Sequence, residues 1–444
     1  MKLMKIFIVT LMTTSLFCCK REQTIKKTDY SLAEISSKNL KRITHTLAHD
    51  SMEGRGAGYR GELRAAKYIA KNFKDMGLES LNESKNNIED YLQFFNFYTV
   101  GDLKPWQKMS SQNVAAILRG SELPDEYIVV GGHNDGQGLK SQADLGKSIA
   151  EGMPTDIERA KNDTIWNSAV DNAVSIAAII EIARYLKVNN LKLKRSIIFT
   201  GFSAEESSLD GSTFFANNPP VNFDKIKAMV NLEKIVGDPD AEFLYVSFST
   251  NPIFENIRKK VDSLGEVNMS PFYPGIIANT DHYPFLMRKI PAVTIGTGSQ
   301  INVHTSLDHA DRLDYELLKK RTEYILQYLI DLANYEKCHF EFTGDLNNLT
   351  GVAGGPATKD EMLSQGFEGE RAFKVANVVK KSLGDIAGIL PEDLIVSVNG
   401  DLVKKKPFYQ GLEDAIDIEN IEDDFAVLDI LRQGTKMKIK LKTK

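Results

Sequence analysis

Along the chain, short apolar runs alternate with longer stretches in which apolar residues recur every three or four positions. The runs Val114–Leu118, Tyr127–Gly131, Ser196–Phe202, Ala228–Leu232 and Ala292–Gly296 predict buried strands. Between them, the periodic stretches predict helices. In Gly61–Gly77, residues Ala66, Ile69, Ala70, Phe73 and Met76 share one face, and Gly77 is placed to end the helix. Asp171–Leu186 and Pro252–Leu264 follow the same rule, and Leu313–Tyr335 aligns Leu318, Ile325, Leu329 and Leu332. Strands alternating with helices predict an α/β fold, with a mostly parallel twisted sheet flanked by helices.

Past Lys337 the pattern changes. Residues 340–355 are rich in Gly, Asn and Thr, and Phe373–Val379, Leu394–Asn399 and Lys436–Leu441 predict strands of a small β-rich domain. The segment from Gly384 to Gly400 (GDIAGILPEDLIVSVNG) resembles the middle of a bacterial PDZ domain, and Leu431-Arg432-Gln433-Gly434 fits the hairpin before that family's last strand. The resemblance implies a peptide ligand bound by strand addition, although the family's carboxylate-binding loop is not recognisable near Gly351–Gly355 or Gly366–Phe367.

At the other end, Lys2 and Lys5 precede the apolar stretch Ile6–Phe17, too short to span a membrane and built like a secretory signal. Leu16-Phe17-Cys18-Cys19 resembles a bacterial lipoprotein cleavage box, which implies a lipidated Cys19, a membrane tether, and an exported location facing the periplasm or on the outer membrane. The predicted organisation is a signal peptide at 1–18, Cys19 and a polar tether to 38, a catalytic domain at 39–337 and a PDZ-like domain at 338–444.

Composition narrows this further. A net charge of -5, with 55 basic and 60 acidic residues mixed along the chain, argues against nucleic acid as a partner. Three cysteines cannot form a disulfide framework.

Parallel α/β sheets put ligands beyond the carboxyl ends of their strands, so the residues there are the candidates for chemistry. After Tyr127–Gly131 come His133 and Asp135; the acid is placed to hold the imidazole's second nitrogen. Asp171 stands where a helix opens, where a capping role is the alternative. Ser196–Phe202 leads to Glu205-Glu206, two acids that would repel unless a cation or proton separates them. Glu233 follows Ala228–Leu232, and His304 follows the loop after Ala292–Gly296. Nitrogen and oxygen donors without thiolate suit zinc, with manganese or cobalt as substitutes, and this many positions fit a two-metal hydrolytic centre.

This order of residues resembles the co-catalytic di-zinc aminopeptidases of the bacterial leucyl aminopeptidase and glutamate carboxypeptidase type. Leu47–Gly56 (LAHDSMEGRG) is similar to that family's N-terminal signature, and Thr280–Phe285 (TDHYPF) to its Ser-Asp-His-x-x-Phe element, the likeness running from about 40 to 335. The resemblance implies that His133, Asp171 and Glu233 bind one zinc, that Asp171, Glu206 and His304 bind the other, and that peptides are the substrates. It implies Glu205 as general base, Asp135 as the residue orienting His133, and His282 as a supporting residue. Two departures stand out: the third acid is Glu233, followed by Lys234, where the family commonly has Asp, and Val303 occupies the position of a Tyr that helps stabilise the transition state. The segment between His133 and Asp171 is long enough for a flap. Competing readings are a carboxypeptidase or dipeptidase of the same architecture, a one-zinc glutaminyl-cyclase-like transferase, and a non-catalytic PDZ binding protein.

Overall fold

The computed structural model describes residues 33–81, 87–98, 107–140, 162–237, 241–247, 251–265, 267–272, 280–298, 302–336, 346, 349–404 and 411–443. The leader, Cys18, Cys19, most of the tether, Cys338 and residues 141–161 of the expected flap lie outside these. Among the described residues, no helix is long and apolar enough to cross a membrane.

Strands β1 (Leu92–Tyr98), β2 (Lys108–Leu118) and β3 (Leu123–His133) come first, followed by a two-stranded ribbon of β4 (Gly138–Leu139) and β5 (Ile165–Trp166). Then come β6 (Arg195–Phe202), β7 (Ile226–Glu233), β8 (Phe243–Ser247), β9 (Ser270–Phe272) and β10 (Ala292–Thr297). Apart from the ribbon they form one eight-stranded sheet in the order β1-β2-β6-β3-β7-β10-β8-β9. All five predicted strands are present, and the four central ones, β6, β3, β7 and β10, run parallel. The sheet is mostly parallel, as expected, with antiparallel pairs at the flanks: β1 with β2, β2 with β6, and β10 with β8. Only a short turn joins β2 to β3, and a connection of that length cannot cross back over the sheet to make parallel strands.

Both faces of the sheet are covered, which explains why its strands read as unbroken apolar runs. Alternate residues feed separate cores. Val114, Ala116, Ile197, Phe199, Ala228 and Val230 join the larger core. Ala115, Ile117, Ile198, Met229 and Ala292 join the one on the opposite face. Helices Ser37–Leu47, Arg60–Asp75, Val174–Val188 and Tyr315–Asn334 supply the first core, while Asp210–Asn217 and Tyr283–Met287 supply the second. Truncating a fully buried side chain such as Ile198 to Ala would cost about 2–5 kcal/mol.

Strands β11 (Val352–Pro356), β12 (Phe373–Val378), β13 (Leu394–Val398), β14 (Asp401–Leu402), β15 (Phe425–Arg432) and β16 (Thr435–Lys442) form a separate six-stranded sheet. Its own core is built on Val352, Phe373, Val375, Ile395, Leu412, Leu428 and Ile430. Residues 34–444, with both sheets, make one compact unit.

Candidate metal centre

The parallel strands end at one edge of the sheet, and their side chains meet there. His133 is the last residue of β3 and Glu233 the last of β7, while Glu205 and Glu206 open the short helix Glu205–Ser208 just past β6. His304 reaches in from the loop after β10. Asp171 lies in the irregular turn Ala169–Ala173 that leads into helix Val174–Val188; its peptide bond to Asn172 is cis, and it caps no helix. Four non-glycine residues in or next to these positions have positive φ: Ser168 (52°), Ala204 (56°), Lys234 (49°) and His304 (59°). Each costs on the order of 1–3 kcal/mol, and such strain concentrates where side chains must be aimed at a site.

Asp171 is the centre of the arrangement. Its Oδ1 lies 2.9 Å from His133 Nε2 and its Oδ2 lies 3.0 Å from His304 Nε2. Glu233 Oε1 is 3.4 Å from His133 Nε2, and Glu206 Oε2 is 3.2 Å from His304 Nε2. Two ligand sets follow, His133 with Asp171 and Glu233, and Asp171 with Glu206 and His304, each with donor atoms within 4.8 Å of one another. Glu205 joins His133 and Glu206 in a third such cluster.

Asp135 does not sit as simply as the sequence suggests. Its carboxylate is 3.6 Å from His133 Nδ1, too long for a hydrogen bond. Its two oxygens instead accept from the backbone N–H groups of Glu205 and Glu206, each at 3.3 Å, so it holds the turn that presents both acids.

A wider frame fixes the loops. Arg55, 1% exposed, donates to the carbonyls of Leu47 (2.8 Å), Asn134 (2.9 Å), Asn167 (2.8 Å) and Ser168 (2.7 Å). It thereby ties the loop after His133 to the turn before Asp171. Asp308 accepts from the N–H groups of Val170 (2.7 Å) and Asp171 (3.1 Å). Asn172 donates to the carbonyl of Leu232 at 2.9 Å and accepts from the N–H of Lys234 at 3.0 Å, locking the Asp171 turn to the end of β7. His282 is fully buried, with its Nδ1 2.5 Å from Thr280 Oγ1.

The electrostatics suit a cation. Burial raises the Glu205 carboxyl well above the usual range, and Glu233, Glu206 and Asp281 add to the effect. Burial also lifts Asp281 to about 7. Burial alone would keep the His133 ring neutral, yet Glu233, Glu205, Asp135 and Asp171 raise its pKa well above the ordinary value. The Lys234 ammonium is 2.6 Å from Glu233 Oε1 and 3.7 Å from Asp171 Oδ2, one positive charge among several acids. Among the described residues, Glu206 Oε1 is buried with no hydrogen-bond partner. A buried carboxylate oxygen without a donor, inside an all-nitrogen-and-oxygen ligand set, fits a divalent cation such as zinc.

Every metal-ligand position read from the sequence thus meets at this centre, with Glu205 beside them. Sequence reasoning missed the supporting roles of Arg55, Asp308 and Lys234, and the binding of Asp135 to the Glu205–Glu206 turn. Arg55 stood in the Leu47–Gly56 signature, but arginine is ordinarily exposed and nothing in the residue itself announces burial.

Residues 113–329 match the sequence profile of Peptidase family M28, a span that leaves out the Leu47–Gly56 segment. A probable zinc metalloprotease of Pyrenophora tritici-repentis is 29% identical over 201 residues, 45% of this chain and 39% of its own length. The chain therefore spans well under half the length of the curated relatives it matches. Among solved structures, an aminopeptidase from Aneurinibacillus sp. strain AM-1 superposes with a TM-score of 0.53 at 15% identity, covering 69% of this chain and 96% of that one. A glutaminyl cyclase from Porphyromonas gingivalis gives 0.51 at 17% identity, covering 68% and 100%. These two likenesses establish the fold, and the profile match supports a zinc-dependent hydrolase.

Proposed function

We propose that this chain is a metal-dependent aminopeptidase that hydrolyses the N-terminal residue of peptides with two zinc ions. The observation that carries this reading is Asp171, whose two oxygens lie about equally close to two imidazoles in two overlapping ligand sets. His133, Asp171 and Glu233 would hold one cation, and Asp171, Glu206 and His304 the other. Bound cations supply Lewis acidity, polarising the scissile carbonyl and lowering the pKa of water.

The rest falls to the protein. Glu205, the acid not needed as a ligand, has a high proton affinity because it is buried. It would accept a proton from the attacking water and deliver it to the leaving amine. Asp135 fixes the turn carrying Glu205, and Arg55 and Asp308 fix the turn carrying Asp171, so the acids are held in place before substrate arrives. Val303 has no hydroxyl and cannot donate a hydrogen bond to a developing oxyanion. An exported location with a lipid tether at Cys19 belongs to the same proposal.

Elemental analysis of the purified full chain tests the metal assignment. About two zinc ions per chain are expected, with both lost in Asp171→Ala because both sets share that residue. A stoichiometry of one in the wild type would favour the transferase reading, and unchanged metal in Asp171→Ala would refute the shared-ligand arrangement.

A further inference from the structure

The acidic centre opens into a cavity of about 380 Å³ lined by residues of both sheets' units. Glu205, His304, Leu209 and Tyr283 contribute from one; Ala353 and Val379 contribute from the other. The junction is tightly built. The Tyr283 hydroxyl, 3% exposed as a residue, accepts from the N–H of Gly351 at 3.2 Å and donates to Glu413 at 3.3 Å. Gly351 has φ +67°, and a Cβ there would lie 2.3 Å from Ser382 Cβ and 3.2 Å from Met287 Cε, so only glycine permits this approach. Asn377 donates to the Ser208 carbonyl (2.8 Å) and to Asp210 (2.9 Å), gripping the segment that begins with Glu205. Asn217 donates to the Val378 carbonyl at 3.0 Å.

The character of the lining changes across the cavity. Asp171, Glu205, Glu206 and His304 line one part, whereas Leu209, Tyr283 and Val379, which pack in one apolar cluster, line another. An apolar side chain placed there is favoured because it leaves water. At the same time, the outer edge of β11 is bridged by Gly411 opposite Ala353, so the chain itself already engages an edge that an external peptide strand would need.

We propose that the six-stranded unit is a fixed wall of the substrate cleft, in which Ala353 and Val379 bound the space for the apolar side chain next to the reacting carbonyl. The unit then acts as part of the catalytic site, selecting substrate by side-chain size. This rests on the peptidase reading, and its test separates the two. Ala353→Leu adds bulk at the wall and Val379→Ala removes it; full-length variants are compared with wild type in hydrolysis of alanine, leucine and phenylalanine amides. Ala353→Leu should lower kcat/KM for the leucine and phenylalanine amides at least about 10-fold while leaving the alanine amide within about 2-fold. Val379→Ala should shift preference toward phenylalanine, which keeps the test alive should the first variant fold poorly. Calorimetric binding of free leucine and glycine to the same proteins provides a readout without turnover. If wild type cleaves no amide, the peptidase reading fails, yet a leucine-over-glycine preference that Ala353→Leu abolishes still upholds the wall. Equal leucine and glycine binding in wild type, or variants that change all side chains alike, would overturn it.

Discussion

A buried carboxylate ringed by other acids must find either a proton or a cation, and Glu205 and Glu206 illustrate the two outcomes side by side. Burial and its acidic neighbours push Glu205 toward holding a proton, whereas Glu206, against the same effect of burial, is drawn below the ordinary range by His304. In the proposed mechanism, two adjacent identical residues would divide into a proton handler and a ligand through their surroundings alone. Glu205→Gln keeps shape and volume but cannot take a proton. We expect it to retain the wild-type zinc content and to lose turnover by about 100-fold or more, as measured by elemental analysis beside steady-state kinetics. Wild-type rates in that variant would remove Glu205 from the mechanism. Much at this scale was readable in advance, because His133, Glu205, Glu206 and Glu233 each follow an apolar run whose end locates them. Arg55 was not readable in this way: its four carbonyl partners come from segments far apart in sequence and are gathered only by the fold.

Among the elements, strands β3, β6, β7 and β10 were legible because two covered faces demand continuous apolar sequence. The antiparallel flanks were not, since strand direction depends on connection length and pairing partners rather than on the run itself. The irregular turn at Ala169–Ala173 was likewise hidden, and a simple helix start was the natural reading of Asp171. Helix Asp210–Asn217 offers a measurable consequence of the junction with the second sheet. Burial raises Asp210 to about 7, against the opposing hydrogen bond from Asn377 and with some repulsion from Asp135. A carboxyl raised in the folded state contributes fully at pH below its unfolded value, near 3.8, and that contribution is lost as pH rises toward 7. Asp210→Asn removes this one titration. Chemical denaturation between pH 4 and 7 should therefore show the variant gaining on wild type by on the order of 1 kcal/mol or more, with the difference level above pH 7. A difference that stays constant from pH 4 to 7 would contradict the assignment.

On the scale of the whole molecule, the eight-stranded sheet gathers the candidate ligands from three strand ends, a loop and an irregular turn at one edge, and the six-stranded sheet docks beside that edge through Asn377, Gly351 and Glu413. The PDZ-like pattern foretold a β-rich unit, but no local pattern could foretell that it would line the cleft. In the proposed function, this edge is a metal-dependent catalytic site for peptide ends. The most direct measurement is hydrolysis of a panel of aminoacyl amides by the full chain, before chelation, after chelation and after zinc add-back. Release of the free amino acid is expected, with a loss of about 100-fold or more on chelation and recovery on adding zinc. Hydrolysis indifferent to chelator, or none on any amide by zinc-replete protein, would contradict it.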